Sequence, residues 1–208
     1  MPRMSERAAA TRQAILDAAQ EIFTSAGFSE ANISDVVAKA GASVGSVYHH
    51  FGGKADLYLA LFEDYQARQE EHAAAAVAAA RAAGADDPIK LFVAGARAYL
   101  DGCWTERDLA RLFLAGGGPA GFELIARRRY RDWTRLNEIL LHADGEPASE
   151  ALVLLLTTVV SETGSEVAVS ENAERARGLV DEILALIELI GERLPRRPAD
   201  APGRAADA

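Results

Sequence analysis

Glycine and proline cut this chain into stretches, and within them the apolar residues recur with the period of a helix. Ile15, Ala18, Ala19, Ile22 and Phe23 fall at i, i+3, i+4, i+7 and i+8, which lays one apolar stripe along one helix face. No stretch alternates apolar and polar residues as a strand does. Alanine, leucine, glutamate and arginine dominate, and all are strong helix formers. The pattern predicts an all-α chain of about nine helices.

The breaks fix the order. A first helix, 8–26, ends at Gly27 as a C-cap. A second is N-capped by Asn32, carries Asp35 in its first turn and stops at Gly41. A very short third, 44–49, is capped by Ser43 and ended by Gly52-Gly53. A long helix follows over 55–83, apolar at first and alanine-rich later. Past Pro88 come helices at 89–104 and 107–115, then the break Gly116-Gly117-Gly118-Pro119. Helices at 121–143, 148–169 and 173–194 complete the set. The tail 195–208, rich in proline, alanine and charge, is expected to be disordered.

A chain of 208 residues that is 50% hydrophobic can bury a sizeable core. One cysteine, Cys103, leaves no intramolecular disulfide framework. With no signal-peptide pattern, a reducing cytoplasm is the expected setting. The longest strongly apolar run, 151–160, falls short of the ~18 residues of a membrane span, so no membrane partner is expected. The net charge of −9 is unevenly spread. Residues 1–54 hold five basic side chains (Arg3, Arg7, Arg12, Lys39, Lys54) and five acidic ones (Glu6, Asp17, Glu21, Glu30, Asp35), so the remainder carries the whole excess. A neutral head on an acidic body suits DNA binding through the head, with phosphate repelling the body.

The stretch from Asn32 to Lys54 carries the function. Two short helices joined by a glycine turn are the layout of a helix-turn-helix. Val36, Val37 and Ala40 are placed to face the first helix, and Val47 and Phe51 to anchor the third. That leaves Ser43, Val44, Gly45, Ser46, Tyr48 and His49 pointing outward. Their hydroxyls and imidazole suit phosphate oxygens and base edges. Gly45 lets backbone approach a groove closely, and Val44 can touch a thymine methyl. Lys54 adds a positive charge at a helix start, aimed at a phosphate.

Residues 11–65 resemble the N-terminal domain of the TetR family of bacterial transcriptional regulators. The resemblance rests on Ile15-Leu16-Asp17-Ala18-Ala19, Phe23, Gly27-Phe28, Ala40-Gly41 and Gly45-Ser46-Val47-Tyr48-His49-His50-Phe51, with Lys54 and Leu57. It implies a three-helix DNA-binding domain over 1–54, with 44–49 as the recognition helix, and a helical ligand-binding and dimerisation domain over 55–194. By similarity, Asn32, Ser43, Ser46, Tyr48, His49 and Lys54 would contact double-stranded DNA, and Thr11 and Arg12 would touch a flanking phosphate. Position 32 is usually threonine in the family, and Ala42 stands where valine is usual. Val44 replaces a commonly polar or basic residue and cannot hydrogen-bond a base.

The family's mode of action implies a homodimer on a pseudo-palindromic operator, most often a repressor, released by a small-molecule effector. Phe92, Tyr99, Trp104, Phe113, Phe122, Tyr130 and Trp133 are the candidate lining of an apolar effector pocket, and each could equally be core. The triple glycine would let a helix end bend over that pocket. Arg127-Arg128-Arg129 with Arg131 is the densest basic cluster; pairing with acidic neighbours is its plainer reading, and an inward anion contact the alternative. The last two helices carry wide apolar faces suited to an isologous interface. No cofactor or metal is expected. A regulator with no small-molecule ligand would instead have a filled interior. A helical enzyme finds no support, for there is no phosphate-binding glycine loop, metal-ligand spacing or nucleophile elbow.

Overall fold

The computed structural model describes residues 2–114 and 117–193, which form nine α-helices and no strand. They are α1 (Pro2–Glu30), α2 (Ile33–Ala40), α3 (Val44–Phe51), α4 (Lys54–Ala82), α5 (Pro88–Thr105), α6 (Arg107–Leu114), α7 (Phe122–Leu140), α8 (Pro147–Val169) and α9 (Ala173–Arg193). The tail expected to be disordered, and Gly116 of the triple glycine, lie outside the described residues. Gly118 is needed for local packing, since a side chain there would strike the ring of Phe122.

The first three helices pack together as a small head. The stripe read from the sequence is its core, with Ile15, Leu16, Ala18, Ala19 and Phe23 of α1 buried against Val36, Val37, Val47 and Phe51. Gly27 takes φ +75° inside α1, so the helix turns there, but it resumes to Glu30 rather than ending at residue 26. Gly41 ends α2 in the left-handed region at φ +61°, and its N–H donates to the Val37 carbonyl. Ser43 caps α3 as expected, its Oγ accepting from the Ser46 N–H at 3.1 Å. Asn32 occupies the cap position of α2 but does not cap it. Its Nδ2 donates backwards to the Glu30 carbonyl at 3.2 Å, because the helical turn after Gly27 presents that carbonyl to it.

The packing does not stop at residue 54. Leu57, Tyr58, Leu61 and Phe62 of α4 join the head's core, together with Leu109, Ala110 and Phe113 of α6 and Phe122 of α7. Tyr58 is the hub. Its ring makes edge-on contacts with Phe23 (5.5 Å), Phe28 (5.2 Å), Phe113 (5.3 Å) and Phe122 (5.2 Å). Its hydroxyl donates to the Leu112 carbonyl at 3.1 Å. A second core joins α5, α8 and α9 through Phe92, Leu100, Leu156, Val160, Val180 and Leu184.

α8 as a whole is longer than its apolar run suggested. At 23 residues it is long and apolar enough to cross a membrane by length and composition. It packs instead on α5, α6, α7 and α9, and buries Leu156, Val160 and Val167 among them.

Candidate DNA-reading face and effector cavity

The two anchors set what α3 presents. Val47 and Phe51 point into the core, so Ser43, Val44, Gly45, Tyr48 and His49 share the opposite, exposed face. Val44 is 48% and Tyr48 57% exposed, one helical turn apart. Ser46 is half-buried, and its hydroxyl meets that of Ser43 at 2.9 Å. A Cβ on Gly45 would meet only Ser43 Oγ, at 3.7 Å, so internal packing does not demand glycine there. The bare backbone is left for a partner outside the chain. His50 is half-buried, with its ring 5.1 Å from that of His49.

The remaining candidates fall into two groups. Arg12 is exposed, and its guanidinium lies 5.1 Å from the Phe51 ring, beside the end of α3. Thr11, one residue earlier, donates its hydroxyl to the Arg7 carbonyl at 2.9 Å. Asn32 and Lys54 instead converge on the last turn of α1. Lys54 Nζ donates to the Ser29 carbonyl at 3.0 Å and sits 4.6 Å from the Phe28 ring. Lys54 thus ties α4 to α1 and keeps two N–H donors for anything else. No local pattern signals this contact, because Ser29 lies 25 residues away.

A cavity of about 660 Å³ opens between α4, α5, the end of α6 and α7. Phe92, Tyr99, Phe113, Tyr130 and Trp133 line it. Trp104 and Phe122 do not. Trp104 sits on another face of α5, under the Arg107 guanidinium at 4.9 Å, beside Val167 and Val180. Phe122 is buried in the Tyr58 cluster. Both helices carry aromatic residues on more than one face, so periodicity alone could not separate the cavity wall from the core. Sequence reading also missed part of the lining. Ala73, Ala74 and Val77 of α4 and Gly95 and Ala96 of α5 also line the cavity, and Gly95 lets the two helices approach closely, since a Cβ there would meet Val77 Cγ2 at 3.1 Å.

The lining also carries polar groups, among them Gln66, Glu70, Arg81, Arg127, Arg129 and Asn137. Glu70 and Arg129 pair at 3.7 Å between α4 and α7, so one member of the arginine cluster does pair with an acid while lining the cavity. Asn137 donates to Thr157 Oγ1 at 3.0 Å, and Tyr130 shares a 2.9 Å hydrogen bond with Thr158. Gln69 of α4 lines the cavity and is buried. Burial pushes the Tyr99 hydroxyl well above its ordinary range and the Cys103 thiol up to about 11. Both stay neutral at physiological pH. Among the described residues no cluster of three or more histidine, cysteine or acidic side chains could hold a metal ion.

A helix-turn-helix head fused to a helical body is the architecture of DNA-binding regulators. Residues 15–61 match the family described as bacterial regulatory proteins, tetR family. The HTH-type transcriptional regulator SrpR of Pseudomonas putida is 43% identical over 56 residues, 27% of this chain and 26% of SrpR. The HTH-type transcriptional repressor BepR of Brucella suis is 34% identical over 71 residues, 34% of each chain. The chain therefore matches only about a quarter to a third of these relatives' lengths. A TetR-family transcriptional regulator from Pectobacterium atrosepticum has the same fold throughout. It aligns at a TM-score of 0.57 over 89% of this chain and 94% of its own, with 26% identity. These relatives are named as regulators, not enzymes.

Proposed function

We propose that the chain is a sequence-specific DNA-binding transcriptional regulator that works in the cytoplasm as a homodimer. In this reading it is a repressor, released from a pseudo-palindromic operator by a small, largely hydrophobic molecule. The observation that carries the reading is the outer face of α3. Ser43, Val44, Gly45, Tyr48 and His49 stand exposed on a helix pinned by Val47 and Phe51, and Gly45 has no packing reason to be bare. Tyr48, the serines and His49 bind phosphates and base edges, and Val44 contacts thymine methyl groups. Arg12 contacts a phosphate beside the groove. Asn32 and Lys54 contribute from the edge of the head.

The apolar face of α9 splits in two. Val180, Leu184 and Ile187 turn into the protomer, while Leu186, Leu189 and Ile190 remain exposed. Leu154 and Leu155 of α8 are exposed as well. Pairing these faces about a two-fold axis buries them and sets two α3 helices in major grooves ~34–36 Å apart or a multiple of that. The cavity volume of about 660 Å³ is in the range of small-molecule sites and favours a ligand-controlled regulator over one with a filled interior. Tyr58 joins the head to α6, and Phe113 of the same cluster lines the cavity. Ligand and DNA therefore act on one packed unit and oppose each other by a shared free energy.

Selection from a random duplex library tests the proposal. We expect a palindrome to be enriched and bound by two chains, with affinity falling steeply as salt rises. A folded protein that enriches no sequence at low salt would refute it.

A further inference from the structure

Gln69 of α4 sits between the cavity and the corner that joins α5 to α6. It is 2% exposed and lines the cavity. Its Nε2 donates to Glu106 Oε2 at 2.9 Å. The other oxygen of Glu106 accepts from Arg68 Nε at 3.0 Å and Nη2 at 2.7 Å. Glu106 is the residue between α5 and α6, so one carboxylate fastens two successive residues of α4 to that corner. Gln69 Oε1 has no hydrogen-bond partner, the one buried side-chain nitrogen or oxygen in that position among the described residues. It rests in a notch on α5 left by Gly102, where any Cβ would overlap it. Turning the amide over would satisfy nothing, since it would set the oxygen against the Glu106 carboxylate.

An unpaired buried acceptor carries the whole cost of its lost hydration. Apolar and aromatic side chains make up most of the cavity wall that the rest of Gln69 lines, including Phe62, Phe92 and Phe113. We propose that the effector carries a hydroxyl or N–H donor on an apolar body, and that Gln69 Oε1 accepts it. This rests on the cavity being the effector site. To meet the donor, the carboxamide swings out of the Gly102 notch and its Nε2 leaves Glu106. The corner is then held to α4 by Arg68 alone. α6 begins at that corner and packs on α1, so the loosened corner shifts the support under the head. Gln69 thus selects the ligand and starts the release of DNA.

The test uses a matched pair of probes, 2-naphthol and 2-methoxynaphthalene, which differ in the donor. Each is titrated by calorimetry into the full-length protein, and each is tested for release of the duplex selected above. We expect 2-naphthol to bind wild type about threefold tighter, because the bond gained at Oε1 is partly offset by the one Nε2 gives up at Glu106, and to release DNA at correspondingly lower concentration. In Gln69→Leu the preference disappears because the affinity for 2-naphthol falls to that for the ether. Equal affinities in wild type, or a preference that survives in Gln69→Leu, would overturn the role of Gln69 and leave the cavity as a ligand site. If neither probe binds wild type, the effector reading of the cavity falls with it. The wild-type comparison decides on its own should the variant fold poorly.

Discussion

Val44 and Tyr48 each keep about half their surface open to solvent, on a helix whose other face is fully buried. Each proposed contact of this face makes a separable prediction. Tyr48→Phe removes a phosphate donor and should weaken every duplex alike, by about 1 kcal/mol, in equilibrium titrations. Val44→Ser should change the base preferred at one position of each half-site, read by repeating the selection. Cys103 makes a different prediction. Burial raises its thiol from 9.0 to about 11, so the folded state favours the neutral form. That contribution to stability is complete below pH 9 and is lost as pH climbs towards 11. Tyr58, raised from 10.0 to about 12 by burial, acts in the same direction at higher pH. Melting temperature should therefore fall above pH 9, and Cys103 should resist thiol reagents until the protein opens.

At the scale of the helices, α3 is held by few residues, and they can be removed one at a time. Phe51→Ala should cost about 3–5 kcal/mol in urea unfolding, while Tyr48→Ala changes stability little. Much of this architecture was legible, because glycine breaks and helical periodicity speak through local rules. Ser43 capped its helix, Gly41 and Gly52 ended theirs in the left-handed region, and Val47 and Phe51 faced inward. What failed were features decided by distant neighbours. Asn32 found the Glu30 carbonyl, and Lys54 found Ser29. Trp104 and Phe122 went to faces that an aromatic count cannot tell from the cavity wall. Ala73, Ala74 and Gly95 line the cavity and are conspicuous only by what they lack. The lone acceptor on Gln69 depends on Gly102 of another helix and has no signature along the chain.

For the whole molecule, the proposed dimer rests on the exposed stripe of α9 and the α8 leucines. Leu186→Asp with Leu189→Asp should give monomers by sedimentation and sharply reduce affinity for a two-half-site duplex, since each head then binds alone. The most direct test of the α3 assignment compares the selected duplex with a scrambled one at two salt concentrations. It is run for wild type and for the combined variant Ser46→Ala, Tyr48→Ala and His49→Ala, with folding checked by circular dichroism. Wild type should prefer the selected duplex by roughly 10³-fold or more. The variant should bind both duplexes equally and weakly, with melting close to wild type. A folded variant that keeps the wild-type preference would contradict α3 as the reading helix.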